Sequence, residues 1–94
     1  MVIDLVVTRH PALLEYLQQE GLVGDCEVVT HATAEMVEGK NVLGVLPHSL
    51  SCLCSSFTEV PMVLPLKLRG CELTVTQVRA YAKTPVTYKV SANG

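Results

Sequence analysis

Aromatic and charged residues are scarce in this sequence. Tryptophan is absent, phenylalanine occurs once, and only 17% of the residues are charged, with a formal net charge of −2. Proteins that hold duplex DNA by its phosphates carry a strongly basic face, so we expect no duplex DNA partner. A small anion held by a few cations is compatible with this charge. No P-loop, dinucleotide fingerprint or G-x-S-x-G motif occurs, which leaves kinase and redox functions without support.

Signals for export or membrane insertion are also missing from the first residues, MVIDLVVTRH. They include the acidic Asp4, lack a basic region and are too few to form a spanning helix. We therefore expect a cytoplasmic protein that has no membrane partner and keeps its four cysteines reduced. The cysteines lack the spacing of a zinc site and the three histidines are dispersed, so we expect neither a metal ion nor a cofactor.

Apolar residues, mostly valine and leucine, are abundant for so short a chain. The sequence has 94 residues, of which 49% are hydrophobic, and this length corresponds to a single domain over residues 1–94. A chain of this size buries only about 60–65% of its unfolded surface. The apolar excess therefore suggests that a second subunit covers part of the surface, most simply in a two-fold homodimer.

Apolar runs alternate with helical patterns along the chain. Strands are predicted over residues 2–8, 26–30, 41–46, 60–66 and 86–90. Helices are predicted over residues 12–20, 48–57 and 74–82, and the polar stretch 35–41 is predicted to be a turn with at most one helical turn. Strands that alternate with helical crossovers indicate an α/β, Rossmann-like three-layer domain. Its sheet is expected to be mostly parallel, with four to five strands, and to carry about three helices.

Polar and basic side chains follow the predicted strands. In an open parallel sheet, ligands bind beyond the carboxyl ends of the strands. All three histidines and two of the three arginines of the chain fall at such positions. The residues at the strand ends include Thr8, Arg9, His10, Thr30, His31, Thr33, Pro47, His48, Ser49, Lys67 and Arg69. The sequence therefore predicts a site for a phosphate-containing ligand at this edge of the sheet.

The residue types at this edge favour phosphodiester chemistry. Arg9 can form forked hydrogen bonds to a phosphate, and helices that begin near Pro11 and His48 would aim N–H groups at the same crevice. A histidine beside a ribose can assist attack of the 2′-hydroxyl on the adjacent phosphodiester, and this reaction needs no metal. Structural alternatives are a salt bridge for Arg9, a helix cap for His10, and solvated positions for the other histidines and Lys67.

Three segments resemble a known family: residues 7–11 (VTRHP), 44–47 (GVLP) and 69–74 (RGCELT). They resemble a family of small CRISPR-associated accessory proteins of type III systems, in the series labelled Csx. The resemblance runs from about residue 5 to residue 82, and the first and last of these segments are its most specific parts. It implies a Rossmann-like protein related to ring nucleases, which cut cyclic oligoadenylate, a second messenger of antiviral defence.

For this chain, the resemblance implies a metal-independent ring nuclease for cyclic oligoadenylate, with cyclic tetra-adenylate as the expected ring. The ring would be bound across the axis of a homodimer and cut to a linear product that ends in a 2′,3′-cyclic phosphate. Arg9 and His10 are the expected catalytic residues. The expected ligand-binding residues are Thr8, His31, His48, Ser49, Lys67, Arg69 and Glu72.

Two alternatives to an enzyme stay open. One is a sponge or sensor that binds cyclic oligoadenylate without cutting it, and the other is an interaction subunit whose apolar surface serves a protein partner. Departures from the family pattern bear on the first of these. His31 is followed by Ala32 and Thr33 instead of Leu-Asp, and a run rich in serine and cysteine follows His48.

Overall fold

One five-stranded sheet forms the centre of the molecule. The computed structural model describes residues 2–93, so residues 1 and 94 of the predicted domain lie outside the described part. The strands are β1 (Leu5–Val7), β2 (Glu27–Val29), β3 (Asn41–Gly44), β4 (Ser56–Glu59) and β5 (Val86–Tyr88). They lie in the order β2-β1-β3-β4-β5, with β1 to β4 parallel and β5 antiparallel to β4. The predicted α/β, mostly parallel Rossmann-like layering is confirmed.

Helices cover both faces of this sheet. They are α1 (Pro11–Gln19), α2 (Ala34–Val37), α3 (His48–Ser51) and α4 (Val75–Tyr81), with a 3₁₀ helix at Leu66–Leu68. Helices α1 and α4 pack against each other on one face, whereas α2 and α3 pack together on the other. Among residues 2–93, no helix is long and apolar enough to cross a membrane.

The alternation of side chains along β1 creates two hydrophobic cores. Val6 points towards α1 and α4, while Leu5 and Val7 point towards α2 and α3, because successive strand residues face opposite sides of a sheet. The core under α1 and α4 contains Ile3, Val6, Leu13, Leu17, Val23, Leu43 and Val78. The core on the other face contains Leu5, Val7, Val37, Val42 and Cys54. Burial on both faces explains why β1 is apolar throughout instead of alternating.

The predicted strand over residues 60–66 is wrong. The fourth strand is β4, four residues earlier, and Met62 makes only an isolated bridge to Ala82. Pro61 and Pro65 explain the difference, because proline lacks the N–H that a ladder requires. As a result, Lys67 does not follow a strand but lies in the 3₁₀ helix.

The predicted helix over residues 48–57 is also too long. Helix α3 ends at Ser51, and the following residues lead into β4. Serine and cysteine are weak helix formers, and a β-branched or aromatic stretch such as Phe57–Thr58 fits a strand better. By contrast, the helix predicted over residues 74–82 is confirmed as α4. The Thr74–Gln77 pair, Thr-x-x-Gln in the sequence, forms a capping box at its start, since Thr74 Oγ1 accepts from Gln77 N at 3.2 Å and Thr74 N donates to Gln77 Oε1 at 2.9 Å. The single helical turn allowed within residues 35–41 corresponds to α2, which begins one residue earlier.

Candidate phosphate site at the carboxyl ends of β1 and β2

A cavity of about 440 Å³ opens beyond the carboxyl ends of β1, β2 and β3, and we name it the β1 cavity. Four of the expected catalytic and ligand-binding residues line it, namely Thr8, Arg9, His10 and His31. Its remaining wall is largely apolar and includes Val45, Leu46, Pro47 and Leu50. The edge of the sheet at which the sequence predicts a site therefore does carry a concave surface with basic side chains.

Arg9 and His31 touch each other in this cavity. Val7 of β1 pairs with Val29 of β2, so the residues two positions further on, Arg9 and His31, come to lie side by side. Arg9 Nη2 is 3.1 Å from His31 Nδ1 and 3.2 Å from His31 Nε2. A guanidinium group can only donate, so the ring nitrogen that accepts must be unprotonated. Both side chains are exposed, and a ligand can reach them from solvent.

The turn that carries Arg9 and His10 is fixed by Thr8. Thr8 is buried, its N–H donates to Val29 O at 3.0 Å, and its hydroxyl accepts from the N–H of His10 at 3.1 Å. This side-chain bond holds the backbone between β1 and α1 in one conformation. The imidazole of His10 makes no capping bond to α1, so the structural alternative of a helix cap does not occupy its ring nitrogens.

Helix N-termini contribute fewer donors here than the sequence suggests. Pro11 has no N–H, and the N–H groups of Leu13 and Leu14 both donate to His10 O, at 3.1 and 3.3 Å. Helix α3 is a single turn, and its Leu50 and Ser51 N–H groups donate to Pro47 O. The N–H groups of these four residues are therefore engaged within the first turns of the two helices, and the side chain of Arg9 offers further donors to an anion.

A glycine whose role sequence reasoning missed lies where β3 meets β1 beside the site. Gly44 has a φ of +146°, and it ends β3 directly beside Val7. A Cβ atom at this position would collide with the carbonyl oxygen of Val7 and lie 2.8 Å from its carbonyl carbon. Glycine thus allows β1 and β3 to approach where Thr8 begins the site. Its place inside the apolar strand pattern of residues 41–46 was the signal that could have revealed it, because a lone glycine within such a pattern indicates a close backbone approach.

Two further cavities adjoin the first. One, of about 420 Å³, lies over the ends of β3, β4 and β5 and includes His10, His48, Glu59 and Tyr88; we name it the β4 cavity. Another, of about 620 Å³, lies between α1 and the segment that precedes α4 and includes Arg9, His10 and Glu72. His10 lines all three cavities, so it occupies the junction between them.

The predicted site residues divide accordingly. Thr8, Arg9, His10 and His31 are brought together, whereas His48 and Glu72 each line a neighbouring cavity. Ser49, Lys67 and Arg69 line none of the three cavities, and their part in binding stays a prediction. Glu59 was missed because the fourth strand was placed too late in the sequence, and Tyr88 because no local pattern indicates the antiparallel pairing of β5 with β4. Within residues 2–93, no group of three or more His, Cys, Asp or Glu side chains is arranged to hold a metal ion.

Comparison with known proteins bears on the identity of this chain. Residues 5–91 match a family described as "Putative CRISPR-associated protein (Cas_VVA1548)". The chain belongs to this family. The Cas_VVA1548 match spans every residue of the β1 cavity and the segment that holds Arg69 and Glu72, and it confirms the resemblance to CRISPR-associated proteins. Neither the curated proteins nor the solved structures include one that matches the chain.

Proposed function

We propose that this member of the Cas_VVA1548 family is a metal-independent ring nuclease that binds cyclic oligoadenylate and cleaves it. One observation carries the proposal: Arg9 and His31 touch over the β1 cavity, and His10 lines the same cavity. An arginine beside two imidazoles offers both a fork for a phosphate and groups that move protons. Membership of a CRISPR-associated family supports a ligand from antiviral defence, and the type III assignment within the Csx series belongs to this proposal.

In the proposed reaction, the ribose 2′-hydroxyl attacks the adjacent phosphorus. His10 accepts the proton of this hydroxyl, the O2′–P bond forms, and the P–O5′ bond breaks. Arg9 stabilises the charge that develops on the phosphoryl oxygens. The leaving 5′-oxygen takes up a proton from water, while His31, whose ring accepts from Arg9, holds the guanidinium beside the phosphate. The products are a 2′,3′-cyclic phosphate and a free 5′-hydroxyl, so no water is consumed in the cleavage itself.

The size of the β1 cavity supports a two-fold homodimer as the working form. At about 440 Å³ it lies in the lower part of the roughly 300–1,000 Å³ range typical of pockets for small ligands. This volume suits about one nucleotide and not a ring of four. Two copies related by a two-fold axis would present two such cavities to cyclic tetra-adenylate, whose own symmetry matches that arrangement.

A second candidate function is binding without cleavage. Within residues 2–93, neither His10 nor His31 forms an ion pair with a carboxylate. Catalytic imidazoles are commonly oriented by such a partner, and without it a histidine can still contribute to binding. The protein would then be a sponge or sensor for the same ligand.

Variants of Arg9 and His10 separate these two functions. Each variant is incubated with cyclic tetra-adenylate in EDTA, and both bound ring and linear product are measured. Arg9→Ala is expected to weaken ring binding at least about tenfold, because it removes charged hydrogen bonds to phosphate. His10→Ala is expected to retain binding and to slow cleavage by roughly 10²–10⁴-fold. Lys40→Ala is the control, since it removes one positive charge next to the start of β3, at the opposite edge of the sheet.

The effects of the variants on ring binding and on ring cleavage decide between a nuclease and a sponge. If His10→Ala changes only affinity and wild-type protein leaves the ring intact, the sponge replaces the nuclease. If cyclic oligoadenylate neither binds nor raises the melting temperature of the wild-type protein, the phosphate site itself is refuted, because a bound ligand stabilises a protein by mass action.

A further inference from the structure

The residues that line the β4 cavity suit an aromatic base. Its walls are mostly apolar, with Phe57, Val60 and Met62 among them, and its volume of about 420 Å³ is ample for a purine. Small-molecule pockets combine such apolar walls with a few polar groups that fix orientation. Here the polar groups at its rim include Glu59 and Tyr88.

The β4 cavity continues the β1 cavity. The two share His10, Val45 and Leu46 along their common border. A nucleotide whose phosphate contacts Arg9 and His10 therefore has the β4 cavity directly beside it. The base of that nucleotide is the part that can enter an apolar pocket.

Glu59 and Tyr88 present an acceptor next to a donor. Glu59 ends β4, and Tyr88 lies on the neighbouring strand β5, where it pairs with Phe57. The Tyr88 hydroxyl donates to Glu59 Oε1 at 3.4 Å, a long bond that a ligand can replace. A carboxylate only accepts hydrogen bonds, whereas a tyrosine hydroxyl can donate. The pairing edge of adenine offers the complementary pattern, an N6 amino donor beside the N1 acceptor.

We propose that the β4 cavity is an adenine subsite. The N6 amino group of the base donates to Glu59, the Tyr88 hydroxyl donates to N1, and the ring lies against Phe57 and Met62. The subsite deepens the proposed function and rests on it, because it receives the base of a nucleotide whose phosphate is bound in the β1 cavity. It assigns base selection to Glu59 and Tyr88.

Two small nucleotides test this subsite without ring cleavage. AMP and purine riboside 5′-monophosphate differ only in the 6-amino group, and their dissociation constants are measured by calorimetry. Wild-type protein is expected to bind AMP roughly tenfold more tightly than the analogue. In Glu59→Ala the ratio of the two dissociation constants is expected to fall to about one. Tyr88→Phe is expected to weaken the binding of both nucleotides. Glu15→Gln, an exposed change on α1 away from the β4 cavity, serves as the control and should leave the ratio unchanged.

The outcomes for base and phosphate are distinct. An unchanged ratio in Glu59→Ala, or no measurable binding of AMP to the wild-type protein, overturns the adenine subsite. Ring cleavage in EDTA with an unaltered KM in Glu59→Ala also overturns it and leaves the proposed nuclease intact. If AMP binding depends on Glu59 but not on Arg9, the base subsite stands and the phosphate site of the proposed function fails. Tighter binding of GMP than of AMP overturns the assignment to adenine.

Discussion

Gly44 sets how closely β3 approaches β1 beside the candidate site. It lets β3 lie against the Val7 carbonyl at the point where β1 leads into Thr8, Arg9 and His10. A side chain there would have to push the two strands apart or move the turn that carries Arg9. The site therefore depends on backbone packing as much as on its reactive side chains.

Gly44→Ala is expected to destabilise the protein by about 2–4 kcal/mol, because it adds a clash to a backbone conformation that favours glycine. For a domain of this size, such a change lowers Tm by roughly 10 °C or more. Thermal melts and urea titrations measure both quantities. Gly24→Ala is the matched control, because its Cβ meets nothing within 4 Å. A Gly44→Ala protein as stable as the wild type would contradict this description of the strand contact.

The cysteines should differ in reactivity. Burial, and then the neighbouring Cys52, raises the pKa of the Cys54 thiol, and Cys54 is only 2% exposed. A raised pKa leaves less thiolate at neutral pH, and the thiolate is the reactive form. Iodoacetamide at neutral pH should therefore modify the exposed Cys71 well before Cys54, as followed by mass spectrometry. Rapid labelling of Cys54 in the folded protein would show that it is accessible, contrary to the structure.

The sequence reveals some site residues and conceals others for a physical reason. Thr8, Arg9 and His10 follow an apolar run that is buried on both faces and so is readily recognised as a strand. Glu59 and Tyr88 belong to strands that lie at or next to the edge of the sheet and contain polar residues. Their meeting depends on the antiparallel register of β4 and β5, which no local pattern specifies.

At the scale of elements, Arg79 joins α4 to α1. Its guanidinium forms a 3.0 Å ion pair with Glu20, donates to Gln19 Oε1 at 2.6 Å and lies 5.2 Å from the centre of the Tyr16 ring. These contacts lie at the C-terminal end of α1, away from the site. They supplement the apolar packing of the two helices on the face they share.

Arg79→Ala is expected to lower the free energy of unfolding by about 1 kcal/mol. The side chains of Arg79 and Glu20 are 46% and 42% exposed, so their ion pair contributes little to the free energy of unfolding. The contact of Arg79 with the Tyr16 ring contributes a similar amount. Urea unfolding at low and high salt measures the loss, which should shrink as salt increases. Arg69→Ala removes the same side chain from the exposed loop before α4 and should cost less than about 0.5 kcal/mol. If Arg79→Ala and Arg69→Ala lower the free energy of unfolding equally, Arg79 does not stabilise the contact between α4 and α1.

The elements that local rules predict well are those whose ends carry their own signals. Pro11 at the start of α1 and the Thr74–Gln77 capping box before α4 set those helices correctly. Strand β4 has no such signal. Its Thr58 is fully buried in the sheet, so tertiary burial and not local hydrophobicity makes it a strand.

At the scale of the whole molecule, apolar residues remain on the surface. Val45 is 79% exposed at the rim of the β1 and β4 cavities, and Leu66 is 83% exposed in the 3₁₀ helix. The proposed two-fold homodimer would cover part of this surface where it joins two β1 cavities around one ring. Native mass spectrometry with cyclic tetra-adenylate is expected to show two chains per ring, and one ring per single chain would contradict the shared site.

The most direct test of the central claim is cleavage of cyclic tetra-adenylate by the wild-type protein in EDTA, followed by chromatography and mass spectrometry of the products. The proposed mechanism predicts linear fragments that carry a 2′,3′-cyclic phosphate and a free 5′-hydroxyl. A ring that stays intact while it co-elutes with the protein would contradict cleavage and support the sponge. An intact ring that stays free in solution would contradict both.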